Sequence, residues 1–454
     1  MKEGIFMTET KGLMTQGIIW KKILLFSLPL LLGNVFQQLY NTVDSVIVGN
    51  YIGGDALAAV GTSGPIINLL VGLFMGIATG AGVVIARYFG AQDSEAVHDA
   101  VHTTLAATFL GGLFLTVVGV LLSPTVVRLI GVPENIMSDS IDYLRIYFGG
   151  IIAMMTYNMG AGILRAVGDS KTPLYFLIIS SIINIILDML FVIIFDMGVA
   201  GVAWATLIAQ AVSATLIIIT LCRVNTSYRV TLSHIRIKLF YLKEIIRIGL
   251  PSGLQNAIIS MSNIVVQSYI NSFGSAAIAG YSTYGKVDAF ALMPVMSLSM
   301  AITTFTSQNI GAREFDRVRK GVKTGLLMSC GTAFVLTSLV VVFARTLLGI
   351  FTDDQQIIEY GLLTMTYQAP FYLVLGLNNT LAGILRGAGK ASVPSLIMAA
   401  NMCGVRILWL SILMPIFNSI IVVYLAFSVT WTTTGLCLIW YYKRSRWLEL
   451  LERT

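Results

Sequence analysis

Residues 162–173 read GILRAVGDSKTP, and residues 383–394 read GILRGAGKASVP. Two such strings in one chain are the visible part of a longer repeat. Upstream, LPLLLGNVFQQLYN places Pro29, Asn34 and Asn41 where LPSGLQNAIISMSN places Pro251, Asn256 and Asn263. Between these, FGAQDSEAVHDAVHT falls on NIGAREFDRVRKGVKT. Three matches in one order, covering polar loops as well as apolar runs, mark a duplicated chain rather than shared hydrophobicity. The copies divide it into residues 1–222, a polar basic linker 223–247, and residues 248–454.

Composition says what solvent the copies live in. Of 454 residues 56% are apolar and 11% charged, with a mean hydropathy of +0.83. A spanning helix needs about 20 mostly apolar residues. Runs of that kind predict twelve spans, near 23–48, 61–85, 101–122, 144–164, 173–195, 199–222, 248–272, 280–306, 322–343, 360–384, 393–415 and 419–442. The expected fold is therefore an all-α integral membrane protein with twelve transmembrane helices in two pseudo-symmetric six-helix lobes. Six spans per copy is an even number, so the repeats are parallel. Such repeats are expected to rock about a substrate cavity at their interface.

With the amino terminus in the cytoplasm, 24 of the 29 Lys and Arg residues fall on that side. Only Arg128, Arg145 and Arg345 fall in outer loops. This bias predicts both termini cytoplasmic in a plasma membrane, and it makes the net charge of +7 a topology signal rather than a nucleic-acid surface. The first apolar run lacks a cleavage pattern and reads as an uncleaved span. Cys222, Cys330, Cys403 and Cys437 read as small packing residues without CxxC or His partners.

An ionisable side chain inside a span costs roughly 3 kcal/mol or more unless paired or solvated, so each marks a functional candidate. Asp44 follows Asn41 by three residues, and Asp188 follows Asn184 by four, so each carboxamide shares a helix face with its acid. Two acids meeting in low dielectric do not both stay ionised; the pair takes a proton or recruits a cation. Thr206 adds a hydroxyl, or bonds its own backbone. In the second copy Lys286 and Asp288 point apart, leaving Arg406 either as a structural ion-pair partner of Asp288 or in a substrate role. Pro29 and Pro251 are equivalent hinge candidates. Tyr40, Met155, Tyr157, Met261 and Met293 suit a pliable cavity for apolar ligands. His98 and His102, four apart in a loop, read as a solvated face.

Taken as a set, LPLLLGNVFQQLYNTVDSVIVG, GGDALAAVG, NIILD and the two GILR loops make the whole chain resemble the multidrug and toxic compound extrusion (MATE) family, bacterial type. The resemblance implies an antiporter expelling organic cations against protons or sodium. It also implies a first-lobe cation site at Asp44, Asn184, Asp188 and Thr206. Some relatives carry a further acid early in span seven; QNAIISMSN has none, so coupling is expected in the first lobe alone.

No GKS/T, HExxH or GxSxG motif is present, so an enzyme is not expected, nor any cofactor or metal beyond a coupling H+ or Na+ at Asp44, Asn184 and Asp188. The expected function is secondary active multidrug efflux by alternating access, carried out by a monomer in a bacterial plasma membrane. The alternative is a lipid-linked precursor flippase of the wider superfamily. Such a flippase needs a strongly basic cavity, for which only Lys286 and Arg406 are available.

Overall fold

The computed structural model describes residues 13–453. Lys2 and Lys11, counted above as cytoplasmic charges, lie outside the described residues. The described residues fold as helices: α1 (Ile19–Ile47), α2 (Gly54–Gly90), α3 (Ser94–Leu129), α4 (Glu134–Gly149), α5 (Ile151–Ala166), α6 (Lys171–Asp188) and α7 (Gly198–Arg223) in the first copy. The second holds α8 (Leu239–Asn271), α9 (Ser275–Gly311), α10 (Phe315–Val342), α11 (Ala344–Gly349), α12 (Gln355–Gln368), α13 (Tyr372–Gly387), α14 (Ser392–Ala399), α15 (Arg406–Phe417), α16 (Ile420–Arg444) and α17 (Trp447–Glu452). Among the described residues nine helices are long and apolar enough to span a bilayer, and the α4–α5 pair, bent by 47°, makes a tenth. The other two expected spans are α8, whose first turns carry Lys243, Glu244 and Arg247, and the α12–α13 pair, broken at Ala369–Phe371 around Pro370.

The described residues form two compact units, residue 13 with 29–249, and residues 14–28 with 250–453. The division differs from the one read in the repeat. The first turns of α1 go with the second unit, while the linker and the first turns of α8 go with the first. The boundary therefore falls inside two continuous helices, beside Pro29 in α1 and just before Pro251 in α8. Proline removes a backbone N–H and loosens a helix where it stands, so both hinge candidates occupy the points where the chain changes unit.

Within the first unit the linker is strapped down. The Lys238 ammonium pairs with Asp99, and its backbone N–H donates to Thr103 Oγ1 at 3.2 Å. Arg87 donates to Glu244 at 2.7 Å, and the Tyr88 hydroxyl donates to the other Glu244 oxygen at 2.9 Å. Here α2 meets α8 backbone to backbone. A Cβ added at Gly80 would lie 2.5 Å from the Ile245 carbonyl and 2.7 Å from Gly249 Cα. Replacing Glu244 by Gln leaves Arg87 half-buried without its counter-charge. We expect a loss of about 1 kcal/mol, read as a lower melting temperature of the purified protein; an unchanged midpoint would show the strap is energetically idle.

In the second unit the amino-terminal segment is held likewise. The Met14 N–H donates to Gln308 Oε1 at 2.7 Å, and the Arg317 guanidinium donates to the Met14 and Gln16 carbonyls at 3.1 Å each. The apolar core of this unit is built around Val266, Ile270, Leu348, Tyr372, Val423 and Leu438.

Candidate functional site

The acids of the first unit sit where their helices change pitch. Three residues beyond Asn41, Asp44 lies near the end of α1, which passes into a π-helical stretch, Val48–Ile52. Asp188 is the last α-helical residue of α6 and is followed by a second π stretch, Met189–Ile194. A π turn widens the helix and frees backbone from its regular ladder, a feature concentrated at functional positions. Ile47 and Val48 pack with Val192, Val199 and Val202, an apolar cap beyond the acids.

The Asp44 and Asp188 carboxyl groups lie within electrostatic reach of each other. Asp188 is fully buried and Asn184 nearly so. Asp44 Oδ1, both Asp188 oxygens, and both the nitrogen and the oxygen of the Asn184 carboxamide are buried without a hydrogen-bond partner among the described residues. Unpartnered buried polar atoms are rare, and a facing carboxylate pair offers acceptors alone. What such a group lacks is a positive centre. A single proton shared by the pair supplies one. A sodium ion does so equally: the available donors are all hard oxygens, from two carboxylates, a carboxamide and the nearby Thr206 hydroxyl.

Tyr40, Asn41, Asp44, Tyr157 and Thr206 line a cavity of about 380 Å³ within this unit. Asn184 and Thr206 line a small adjoining space with Ser180, Ser181 and Gln210. The structure thus brings together the expected cation-site residues and two of the expected cavity residues. It adds residues the sequence did not single out: Gln37, Tyr143, Tyr147, Met154, Asn158 and Gln210 all face the cavity. Both Tyr40 and Tyr143 lie within electrostatic reach of the two acids. The Tyr147 hydroxyl donates to Met154 Sδ at 3.1 Å.

Several expectations need correcting. Met155 is buried and lines a much smaller adjoining space with Phe74 and Met159; its neighbour Met154 lines both that space and the large cavity. Met261 and Met293 belong to the second unit, so this first-unit cavity does not bear on their expected place at an interface; Met261 is 56% exposed. The Arg406–Asp288 ion pair does not form. Asp288 accepts from the Tyr372 hydroxyl, with Tyr284 Oη 3.2 Å away. Arg406 instead donates to Asn263 Oδ1 at 2.9 Å, reaches Ser262 and Thr430 at 3.5 Å, and lies over the Phe427 ring at 4.2 Å. The ammonium of Lys286 sits 5.3 Å over the Phe351 ring, apart from Asp288 as expected. Nor is the histidine pair a solvated face. His102 is buried, donates from Nδ1 to the His98 carbonyl, and accepts at Nε2 from the Thr231 N–H at 3.0 Å. His234 of the linker completes the cluster, its ring 5.6 Å from that of His98. With both His102 nitrogens engaged, the cluster anchors the linker. Among the described residues no group of three His, Cys, Asp or Glu side chains is placed to hold a metal.

A helical multi-span chain in two repeats, with one acid on the wall of a cavity inside one of them and a second, buried acid beside it, defines a polytopic membrane transporter. The chain belongs to the MatE family, whose model matches residues 29–190 and 251–412, one match in each repeat. It is 33% identical over 398 residues to the probable multidrug resistance protein YoeA of Bacillus subtilis (strain 168), covering 86% of both chains. It is 27% identical to the probable multidrug resistance protein NorM of Thermotoga maritima, covering 84% of this chain and 82% of that one. Its fold matches a structure described as the outward-facing conformation of a multidrug resistance MATE family transporter, with a TM-score of 0.91 at 22% identity over 99% of this chain and all of the other.

Proposed function

We propose that this protein is a multidrug exporter that expels cationic or amphipathic small molecules in exchange for H+ or Na+ taken up at Asp44 and Asp188. The observation that carries the reading is the unpartnered carboxylate pair at the edge of an aromatic cavity. Tyr40, Tyr143, Tyr147 and Tyr157 offer ring faces, and Met75, Met154 and Ile67 offer deformable apolar surface. Rings beside a carboxylate attract organic cations, and an apolar lining accepts varied shapes. The multidrug names of the relatives above support the same substrate class.

Exchange follows from sharing one charge. With the acids free of an ion, Asp44 is ionised at the cavity wall and holds a cationic drug. A proton or sodium ion entering from outside lowers the negative charge of the pair and weakens that attraction. The drug leaves outward, and the ion is released on return to the inward-facing state. Pro29 and Pro251 provide bending points for alternating access, with both termini in the cytoplasm. One charge crossing 100 mV releases about 2.3 kcal/mol, so one ion can hold a neutral drug at a gradient of nearly two decades. One-for-one exchange of monovalent cations gains nothing from voltage.

The test is dye efflux from proteoliposomes with H+ and Na+ gradients imposed separately. Acceleration of at least about tenfold over the ungraded leak by one gradient names the ion. Efflux indifferent to both would refute coupling.

A further inference from the structure

The duplication allows the second unit to be asked what stands where the first holds its ion pair. Asn41 of the first copy falls on Asn263 of the second, and Pro173 on Pro394. Asn184 follows Pro173 by eleven residues inside a regular α-helix. Arg406 follows Pro394 by twelve, and between them lies a third π-helical stretch, Ala400–Val405. A π stretch is where a helix absorbs one extra residue without changing the register beyond it. Arg406 therefore takes the helical position of Asn184.

The contacts agree with this register. Arg406 donates to Asn263, the equivalent of Asn41, at 2.9 Å. Three residues past Asn41 stands Asp44; three past Asn263 stands Val266. Four residues past Asn184 stands Asp188; four past Arg406 stands Leu410. Val266 and Leu410 are both fully buried. The second unit has lost both acids and gained one fixed cation at the same place.

That cation has no counter-charge. Arg406 is 2% exposed, makes no ion pair among the described residues, and leaves its Nε without a partner. Its neighbours are a carboxamide, two hydroxyls and the Phe427 ring, the neutral oxygens and π-face that solvate a cation. A buried unpaired guanidinium is expensive, which makes a purely packing role a poor explanation.

We propose that Arg406 is a built-in cation: it occupies in the second unit the place that the coupling ion takes in the first, so that unit is permanently in its ion-loaded arrangement and the chain has one exchangeable site. The inference rests on the reading of Asp44 and Asp188 as the coupling site. It explains why one repeat kept its acids while the other kept a positive charge. It also makes Arg406 a positioning residue for transport rather than a ligand of drug or ion.

The test is a charge series at one position, read by gradient-driven dye efflux in proteoliposomes. Arg406→Lys is expected to retain efflux within about threefold, and the near-isosteric Arg406→Met to lose at least about tenfold. Arg406→Ala should be similarly inactive and regain at least about fivefold with millimolar guanidinium, but not with urea, which has the same shape and no charge. Drug-triggered ion release from the first unit should be unchanged in all of them. Equal activity of the Lys and Met variants, or rescue by urea as good as by guanidinium, would overturn the proposal. If Asp44→Asn and Asp188→Asn transport normally, the first-unit reading fails instead, and the Arg406 series still reports separately on charge. Loss in the Asp variants with a charge-blind Arg406 series rejects the built-in cation alone.

Discussion

Replacing Asp188 by Asn is expected to bring gradient-driven efflux down to the leak of protein-free vesicles, a loss of well over tenfold, while the protein stays folded. The carboxamide keeps the shape of the side chain, so the packing of α6 against its neighbours is preserved. What disappears is the ability to exchange a proton or hold a sodium ion. The native acid is fully buried with both oxygens unpartnered. Removing its charge should therefore leave the melting temperature unchanged or raise it. Asp44→Asn should behave the same way, and the double variant should be no worse than either single one, because members of one unit are not additive. Proteoliposome efflux and thermal melts on the same preparations check both halves. Full efflux in either single variant would remove that acid from the site.

Gly80→Val is expected to be the most damaging substitution away from the acids. The added Cβ would sit 2.5 Å from the Ile245 carbonyl and 2.6 Å from the Gly249 nitrogen, and backbone atoms cannot rotate aside as a side chain can. The helices α2 and α8 must separate, weakening the seat of the Arg87–Glu244 pair one to two turns away. Overpacking of this kind costs about 1–3 kcal/mol, and a branched side chain against backbone belongs at the top of that range or beyond. Low yield of folded protein and a melting temperature lower by several degrees are the expected readings. Gly285→Ala provides the control: its added Cβ meets nothing within 4 Å, and in a helix it should be neutral or mildly stabilising. A normal melt for Gly80→Val would show that α2 and α8 do not meet as described.

Residues of unusual cost were readable in the sequence. Asp44, Asp188 and Arg406 stood out because charge inside apolar runs is rare, and Asn184 because it lies one turn from an acid. Tyr143 and Tyr147 were hidden for the opposite reason. The first turns of their helix, α4, carry Asp139 and Asp142 and read as an outer loop, with Tyr143 just before the predicted span and Tyr147 at its polar start, until the bend at Gly149–Gly150 joins α4 to α5. The first turns of α8 passed for linker in the same way. Gln210 is one polar residue in an apolar helix, and nothing local says that it faces a cavity. The failed Arg406–Asp288 pairing has a geometric cause. A π stretch immediately before Arg406 turns it by about one residue, roughly 100°, toward Asn263. Pitch changes of this kind leave no pattern in hydrophobicity, so side-chain direction beyond them cannot be counted off the sequence.

Displacement of the coupling ion by drug bears most directly on the account. Purified protein, held in weak buffer or equilibrated with radioactive sodium, is mixed with saturating cationic dye. Sharing of Asp44 between ion and drug predicts release of one proton or one sodium ion per chain, and none from Asp44→Asn or Asp188→Asn. Dye that binds the wild type tightly while releasing neither ion would contradict it.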